Sequence, residues 1–242
     1  MAHSMQINYG ERARLGIIVP SGNFIAEPQI QAMLPDGVAA YVTRLPLKGT
    51  GSEELFAMAA GVGPAAAMLA DAGVERVIFH CTAVSTYSVP LQDEIMASIE
   101  NATGLPCFST GAAIVTALQT LGARKIVLLT PYLDAVNQRE IAFLAHHGLE
   151  VVHHHGLGLN TNAEMGKLAP DVFFDQAMQY AASVADAYFI SCTAIRSAEV
   201  IERLEQALER PVITSNQVMV WNALRTSGID DKVEGYGTLF SQ

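Results

Sequence analysis

The chain has 242 residues, half of them apolar, which is enough for one large domain or for two lobes with a sizeable core. Its formal net charge is −10 and lysines and arginines do not cluster, so a nucleic acid partner is not expected. The polar N-terminus lacks the apolar segment of a secretory signal, and no apolar run approaches the roughly 20 residues of a membrane span. Three cysteines without framework spacing indicate free thiols, so we expect a cytoplasmic protein with no membrane partner.

The first half of the chain alternates short apolar runs with helical segments. Apolar runs rich in β-branched residues predict strands at 15–20, 38–45, 74–80 and 104–109. The segments between them predict helices at 25–34, at 51–72 as one helix or two, at 88–101 and at 111–121. Ser88 and Pro90 mark the start of the third helical segment, and Gly122 is expected to end the fourth.

The second half repeats this alternation. Strands are predicted at 125–131, 149–153, 187–191 and 211–214, and helices at 133–147, 171–185, 197–208 and 217–226. Thr161 or Asn162 is expected to cap a further segment, and the tail at 232–242 is expected to be irregular. Alternating strands and helices of these lengths predict an α/β fold with parallel sheets that have helices on both faces.

The restart is an internal repeat. The stretch Val-Ile-Phe-His-Cys-Thr-Ala ends at Ala83, and Tyr-Phe-Ile-Ser-Cys-Thr-Ala ends at Ala194. Their cysteines, Cys81 and Cys192, are 111 residues apart, which is also the spacing of two prolines at strand ends. The repeat predicts two pseudo-symmetric lobes that face each other across a cleft. We place the first lobe at 1–112 with 217–242 and the second at 113–216.

The two cysteines are the main candidates for chemistry. Each follows a buried strand, and open α/β sheets bind their ligands at the carboxyl ends of the strands. Either cysteine alone fits a small buried hydrophobe equally well. Their equivalent positions and shared Thr-Ala sequence favour a two-cysteine active site instead. Cys107 has Val212 at the equivalent position and is predicted to be structural.

Polar loops after other strands give further candidates. Ser21-Gly22-Asn23 forms either an anion site at a helix start or an ordinary turn. Tyr132, at the equivalent place in the second half, either projects its hydroxyl into the cleft or packs. Asn160 to Asn162 form a turn, or one of these amides reaches the cleft. His80 is predicted to be packed, and the other histidines lack the partners of a zinc spacing, so no metal site is expected.

Several of these motifs together resemble those of a known superfamily. Ile-Val-Pro-Ser-Gly-Asn at 18–23, the paired Cys-Thr-Ala motifs, Thr-Pro-Tyr at 130–132 and Asn162 resemble the aspartate/glutamate racemase superfamily. The similarity is greatest to its branch of maleate cis–trans isomerases and arylmalonate decarboxylases, and it spans from about 15 to 240. This resemblance implies two pseudo-symmetric α/β lobes, an active site in the cleft between them, and neither a metal nor an organic cofactor.

The resemblance also implies residue roles. Cys81 corresponds to the nucleophile and Cys192 to the acid/base thiol. The implied substrate contacts are Ser21, Asn23, Thr82, Ala83, Tyr132, Asn162 and Thr193, of which Asn23, Tyr132 and Asn162 hold carboxylates. Arg196, beside the second motif, either contacts a carboxylate or lies on the surface.

The first cysteine separates the alternatives within this branch. Arylmalonate decarboxylases carry glycine at the position of Cys81 and keep the second cysteine alone. The chain is therefore expected to isomerise maleate, or a similar small dicarboxylate, to fumarate through a covalent cysteine adduct. An amino-acid or hydantoin racemase with two thiol bases is the alternative, followed by an arylmalonate-type decarboxylase or a noncatalytic small-acid binding protein. The expected partners are a small carboxylate substrate and, in a homo-oligomer, further copies of the chain.

Overall fold

Two parallel four-stranded sheets form the framework of the computed structural model, which describes residues 7–242. The first sheet contains β1 (Ala13–Pro20), β2 (Val38–Leu45), β3 (Arg76–Phe79) and β4 (Cys107–Ser109), in the order β2-β1-β3-β4. The second contains β5 (Lys125–Tyr132), β6 (Glu150–Leu159), β7 (Ala187–Ile190) and β8 (Val212–Thr214), in the order β6-β5-β7-β8. The strand order is the same in both halves, so the predicted repeat is a structural one.

Helices flank both sheets. In the first half they are α1 (Ala26–Met33), α2 (Ser52–Ala60), α3 (Val62–Asp71), α4 (Thr82–Ser85), α5 (Val89–Thr103) and α6 (Thr110–Thr120). In the second half they are α7 (Asp134–His146), α8 (Asn162–Met165), α9 (Pro170–Gln179), α10 (Ile201–Leu208) and α11 (Ser215–Thr226). Short 3-10 helices cover Ala198–Val200 and Thr238–Ser241. The predicted α/β class is confirmed.

The structure decides one open alternative, and the largest differences from the predicted bounds are at the ends of two other elements. The segment at 51–72 is two helices, one of its two predicted alternatives, since the chain bends by 41° at Gly61. β6 continues well beyond 153, because a register shift lets it stay paired with β5 as far as Leu159. The helix predicted at 171–185 ends at Gln179, where the Ala182 N–H donates to the Tyr188 hydroxyl instead of continuing the helical pattern.

Apolar residues on alternate faces of the strands form two cores, one on each side of the sheets. Val77 and Phe79 of β3 point into one core and Ile78 points into the other, as the two-residue period of a strand requires. Burying a side chain such as Phe79 contributes about 2–3 kcal/mol. Both cores contain residues of both halves, so the two sheets share their packing.

The last helix joins the two halves. α11 follows β8 of the second sheet and packs against α6 and α1. The division into lobes at 1–112 with 217–242 and at 113–216 stays a prediction, and its residues 1–6 lie outside the described part of the chain.

Within residues 7–242, no single helix is long and apolar enough to cross a membrane. α2 and α3 taken together pass that test by length and composition, but they meet at a sharp bend. α3 packs against β1, β2 and α5, and five of its residues are buried. The apolar character of this helix is therefore explained by its place in the core.

Candidate active site

The carboxyl ends of β3 and β7 each deliver one thiol. β3 ends at Phe79 and β7 at Ile190, and the cysteine follows two residues later in both halves. Cys81 and Cys192 are each only 3% exposed. Burial is the main cause of the raised pKa of Cys81, and the charge of Cys192 adds to it. Both predicted thiols are thus buried just beyond a strand end, and their joint role in one active site stays a prediction.

The second cysteine has an unusual backbone conformation. Cys192 has φ of 135°, a region that residues with a side chain rarely adopt. Its N–H donates to Ser215 Oγ at 3.0 Å, and the same Oγ accepts from the Thr82 hydroxyl at 2.9 Å. Ser215, the first residue of α11, therefore connects the two Cys-Thr-Ala motifs. Strained backbone of this kind persists only where surrounding contacts hold it in place.

The surroundings of the thiols have opposing effects on their acidity. Burial raises the pKa of Cys81 to about 12, while the N–H groups of Val84 and Ala83 act to lower it. Burial likewise raises the pKa of Cys192 to about 12. The Tyr132 hydroxyl and the Ala194 N–H, whose nitrogen lies 3.2 Å from the sulfur, act to lower it. Backbone N–H groups at these turns are therefore in place to stabilise a thiolate once one forms.

Asn23 links the first half to the second cysteine motif. Its side chain is 1% exposed, and its Oδ1 accepts from the N–H groups of Ile25 and Ala26 at 2.9 and 3.0 Å. Its Nδ2 donates to Thr193 Oγ1 at 3.0 Å, 170 residues along the chain. The side-chain oxygen of Asn23 thus accepts from the start of α1, and its side-chain NH2 donates to the second motif.

Tyr132 is buried at the strand end next to the second thiol. It ends β5, is 3% exposed, and its hydroxyl bonds the Cys192 side chain. Burial, followed by the charge of Cys192, raises the pKa of Tyr132 well above its usual value, so the hydroxyl keeps its proton. Gly156 permits this placement, because a Cβ there would lie 2.5 Å from the Tyr132 carbonyl oxygen.

Two loops close over this edge of the sheets. Asn162 donates from its N–H to the Lys48 carbonyl at 3.1 Å and from its Nδ2 to the Leu47 carbonyl at 3.3 Å. Ser21 Oγ accepts from the Leu47 N–H at 3.1 Å. Ser21 and Asn162 therefore meet at the Leu47 loop, and neither has a hydrogen bond to either cysteine motif within residues 7–242.

Three nearby residues were absent from the sequence-based prediction. Ser215 holds the Cys192 backbone, Met165 Sδ lies 3.8 Å from Cys192 Sγ, and Glu140 is buried behind the strand end. Ser215 follows the fourth strand of its sheet, so the rule that ligands gather at strand ends applies to it as well. Glu140 could have been found in another way, because it lies on the buried face of α7, where charged residues are rare.

Two other residues singled out in the sequence lie outside the site. His80 is fully buried between Thr110 Oγ1 at 2.9 Å and Asn216 Oδ1 at 2.8 Å, and burial lowers its pKa to about 4. Arg196 is exposed and pairs with Glu199 at 3.1 Å, so it lies on the surface. Among residues 7–242, no three His, Cys, Asp or Glu side chains are grouped as metal ligands.

Known proteins align with nearly the whole chain. The arylmalonate decarboxylase family model matches residues 15–240. The arylmalonate decarboxylase of Bordetella bronchiseptica is 28% identical over 232 residues, covering 94% of this chain and 96% of that protein. The maleate isomerase of Alcaligenes faecalis is 26% identical over 243 residues, with coverage of 94% and 96%.

A solved structure supports the fold. It is a cysteine-to-serine variant of the Nocardia farcinica maleate cis–trans isomerase with a covalently bound succinylcysteine intermediate. The TM-score is 0.89 at 22% identity, with coverage of 94% of this chain and 98% of that one. At this identity the likeness concerns the fold alone.

Proposed function

Because the chain belongs to the arylmalonate decarboxylase family, we propose that it is a cysteine-dependent isomerase that converts maleate, or a similar small cis-dicarboxylate, to fumarate. One observation carries the proposal: each sheet supplies one buried thiol just beyond a strand end, and each thiol lies beside hydrogen-bond donors. Similarity to a protein named maleate isomerase over 94% of the chain supports this choice of substrate.

The reaction must remove the double bond for a moment, since rotation about it is otherwise blocked. The Cys81 thiolate attacks one alkene carbon, forming a C–S bond and moving the π electrons toward the neighbouring carboxylate as an enediolate. The Cys192 thiol then protonates the second carbon, which leaves a succinyl thioether with a freely rotating C–C bond. After rotation, the Cys192 thiolate removes that proton, the C–S bond breaks, and fumarate leaves with Cys81 again a thiolate.

The hydrogen-bond donors around the thiols have distinct tasks in this scheme. Donors aimed at the enediolate lower the barrier because they are already oriented before charge develops. We assign this task to Tyr132, Asn23 and the backbone of the two Cys-Thr-Ala motifs, including Thr82, Ala83 and Thr193. Asn162 and Ser21 take the outer carboxylate, which requires the long Asn162–Leu47 bond of 3.3 Å to be exchanged for a bond to substrate.

The test is to incubate the purified protein with maleate and follow the reaction by proton NMR in D2O. Fumarate is expected with the wild type and is expected to be absent with Cys81→Ser and Cys192→Ser. Cys107→Ser is the matched control, because this partly buried thiol contacts Met96 and lies outside the candidate site. A wild type that forms no fumarate, or a Cys81→Ser variant that still forms it, would contradict the proposal.

A racemase of amino acids or hydantoins is the second candidate, because two thiols from equivalent positions suit proton exchange on both faces of one carbon. Exchange of the α-proton for deuterium, dependent on both cysteines, would support it. The three free cysteines fit a reducing compartment, and cytoplasmic location and homo-oligomeric assembly stay predictions.

A further inference from the structure

A buried carboxyl group contacts the residue that precedes the second thiol. Glu140 is on the buried face of α7 and is 1% exposed. Both of its oxygens accept from Ser191 Oγ, at 2.7 and 2.9 Å, and Ser191 immediately precedes Cys192. None of the ion pairs within residues 7–242 involves Glu140. Its negative charge, when present, is thus directed at the strand end that carries Cys192.

The first half of the chain has no carboxyl group at the equivalent position. Gln29 precedes Glu140 by 111 residues, the spacing of Cys81 and Cys192, and places a neutral amide there. The residue before Cys81 is His80, which is neutral at physiological pH because burial lowers its pKa to about 4. The two thiols therefore differ in their surroundings although they occupy equivalent positions.

The Glu140 carboxylate affects the pKa of Cys192 but not that of Cys81. Burial is the main cause of the raised pKa of Cys192 and of Tyr132, and the Glu140 carboxylate adds to both because it disfavours a second negative charge nearby. The pKa of Cys81 is raised by burial and by Cys192 instead. The other charged or titratable groups near α7 have partners elsewhere: His154 lies 3.5 Å from Asp134, Arg139 lies over the Tyr87 ring, and the His147 ring packs edge-to-face with Phe143.

We propose that Glu140 is a positioning residue that keeps Cys192 in its protonated form and thereby gives the two cysteines separate roles. Cys81 is left as the nucleophile, and Cys192 becomes the group that lends a proton and takes it back. These roles are those of the proposed function, on which this proposal rests. A carboxylate behind Cys192 makes its thiolate short-lived, so it favours the return of the proton that must precede release of fumarate.

The decisive measurement is the pH dependence of thiol alkylation. Iodoacetamide labelling at Cys81 and Cys192 is followed separately by peptide mass spectrometry, in the wild type and in Glu140→Gln. Since burial raises the pKa of Glu140 to about 7, the carboxyl is charged above that pH and neutral below it. Labelling of Cys192 is expected to be about tenfold faster in the variant near pH 8.5 and equal in both proteins near pH 6.

Matched controls separate charge from structure. Labelling of Cys81 is expected to be the same in both proteins. Asp134→Asn removes an exposed carboxylate from the same helix and is expected to leave both thiols unchanged. A Cys192 profile in Glu140→Gln that superimposes on that of the wild type, or an equal change at Cys81, would overturn the proposal.

A second test uses the wild-type protein alone, so it does not depend on whether a variant folds. The labelling rate of its Cys192 should bend near pH 7, where Glu140 ionises, and that of Cys81 should not. A Cys192 profile without this bend counts against Glu140. Labelling requires no maleate, so a protein that shows the bend but forms no fumarate would refute the substrate and leave the effect of Glu140 on Cys192 standing.

Discussion

Glu140→Gln is expected to stabilise the protein at neutral and alkaline pH and to leave its stability unchanged in acid. Burial raises the pKa of this carboxyl from 4.5 to about 7. Because the folded-state value is raised, the favourable contribution of the protonated form is complete below pH 4.5 and is lost as the pH rises through about 7. Glutamine carries no ionisable proton, and its amide oxygen still accepts from Ser191.

The magnitude follows from the size of the shift. Moving the pKa from 4.5 to about 7 corresponds to about 3 kcal/mol in the free energy of unfolding, at about 1.4 kcal/mol per unit. The side chain is 1% exposed, so screening by solvent reduces this value little. The gain from Glu140→Gln is therefore expected to grow from near zero at about pH 4.5 to about 3 kcal/mol at about pH 8.

His80 changes the stability with pH in the opposite direction to Glu140, so the two effects offset each other in the wild type. Burial lowers its pKa from 6.5 to about 4, so its contribution is complete above pH 6.5 and is lost as the pH falls through about 4. This contribution is also about 3 kcal/mol. Between pH 4.5 and 6.5 the two groups nearly cancel in the wild type. Glu140→Gln should expose a rise in stability with pH that the wild type lacks.

Urea unfolding at several pH values measures this directly, with the fluorescence of the single, buried Trp221 as the signal. Each curve gives a free energy of unfolding by linear extrapolation. The expected result is a difference between variant and wild type that increases steadily with pH. A difference that is constant from acid to alkaline pH would refute the reasoning, because a purely steric effect of the substitution does not titrate.

Two further substitutions test the geometry of the site. Ser215→Ala removes the acceptor of the Cys192 N–H. We therefore expect kcat for fumarate formation to fall about tenfold or more with little change in KM. An unchanged kcat would show that Ser215 does not position the thiol. Gly156→Ala places a Cβ 2.5 Å from the Tyr132 carbonyl oxygen, so urea unfolding should show a loss of roughly 2 kcal/mol or more, and wild-type stability would contradict the close packing.

The elements and the repeat could be predicted because they depend on local patterns. Runs of apolar residues specify buried strands wherever they lie, and two copies of Cys-Thr-Ala at equal spacing indicate two related halves. The boundaries that were wrong, at the ends of β6 and α9, depend on contacts made by other segments. Tyr188 is one example, since its hydroxyl takes the Ala182 N–H that would otherwise have stayed within the helix.

The sequence alone predicts Cys81 and Cys192 as a pair, because they occupy equivalent positions after equivalent strands. The tertiary structure alone decided what surrounds them. Ser215 reaches Cys192 across 23 residues and Thr82 across 133, and Glu140 reaches Ser191 across 51. Hydrogen bonds of this range leave no periodic trace in a sequence, because they depend on how whole elements pack. The difference between the two thiols is therefore a property of the folded chain.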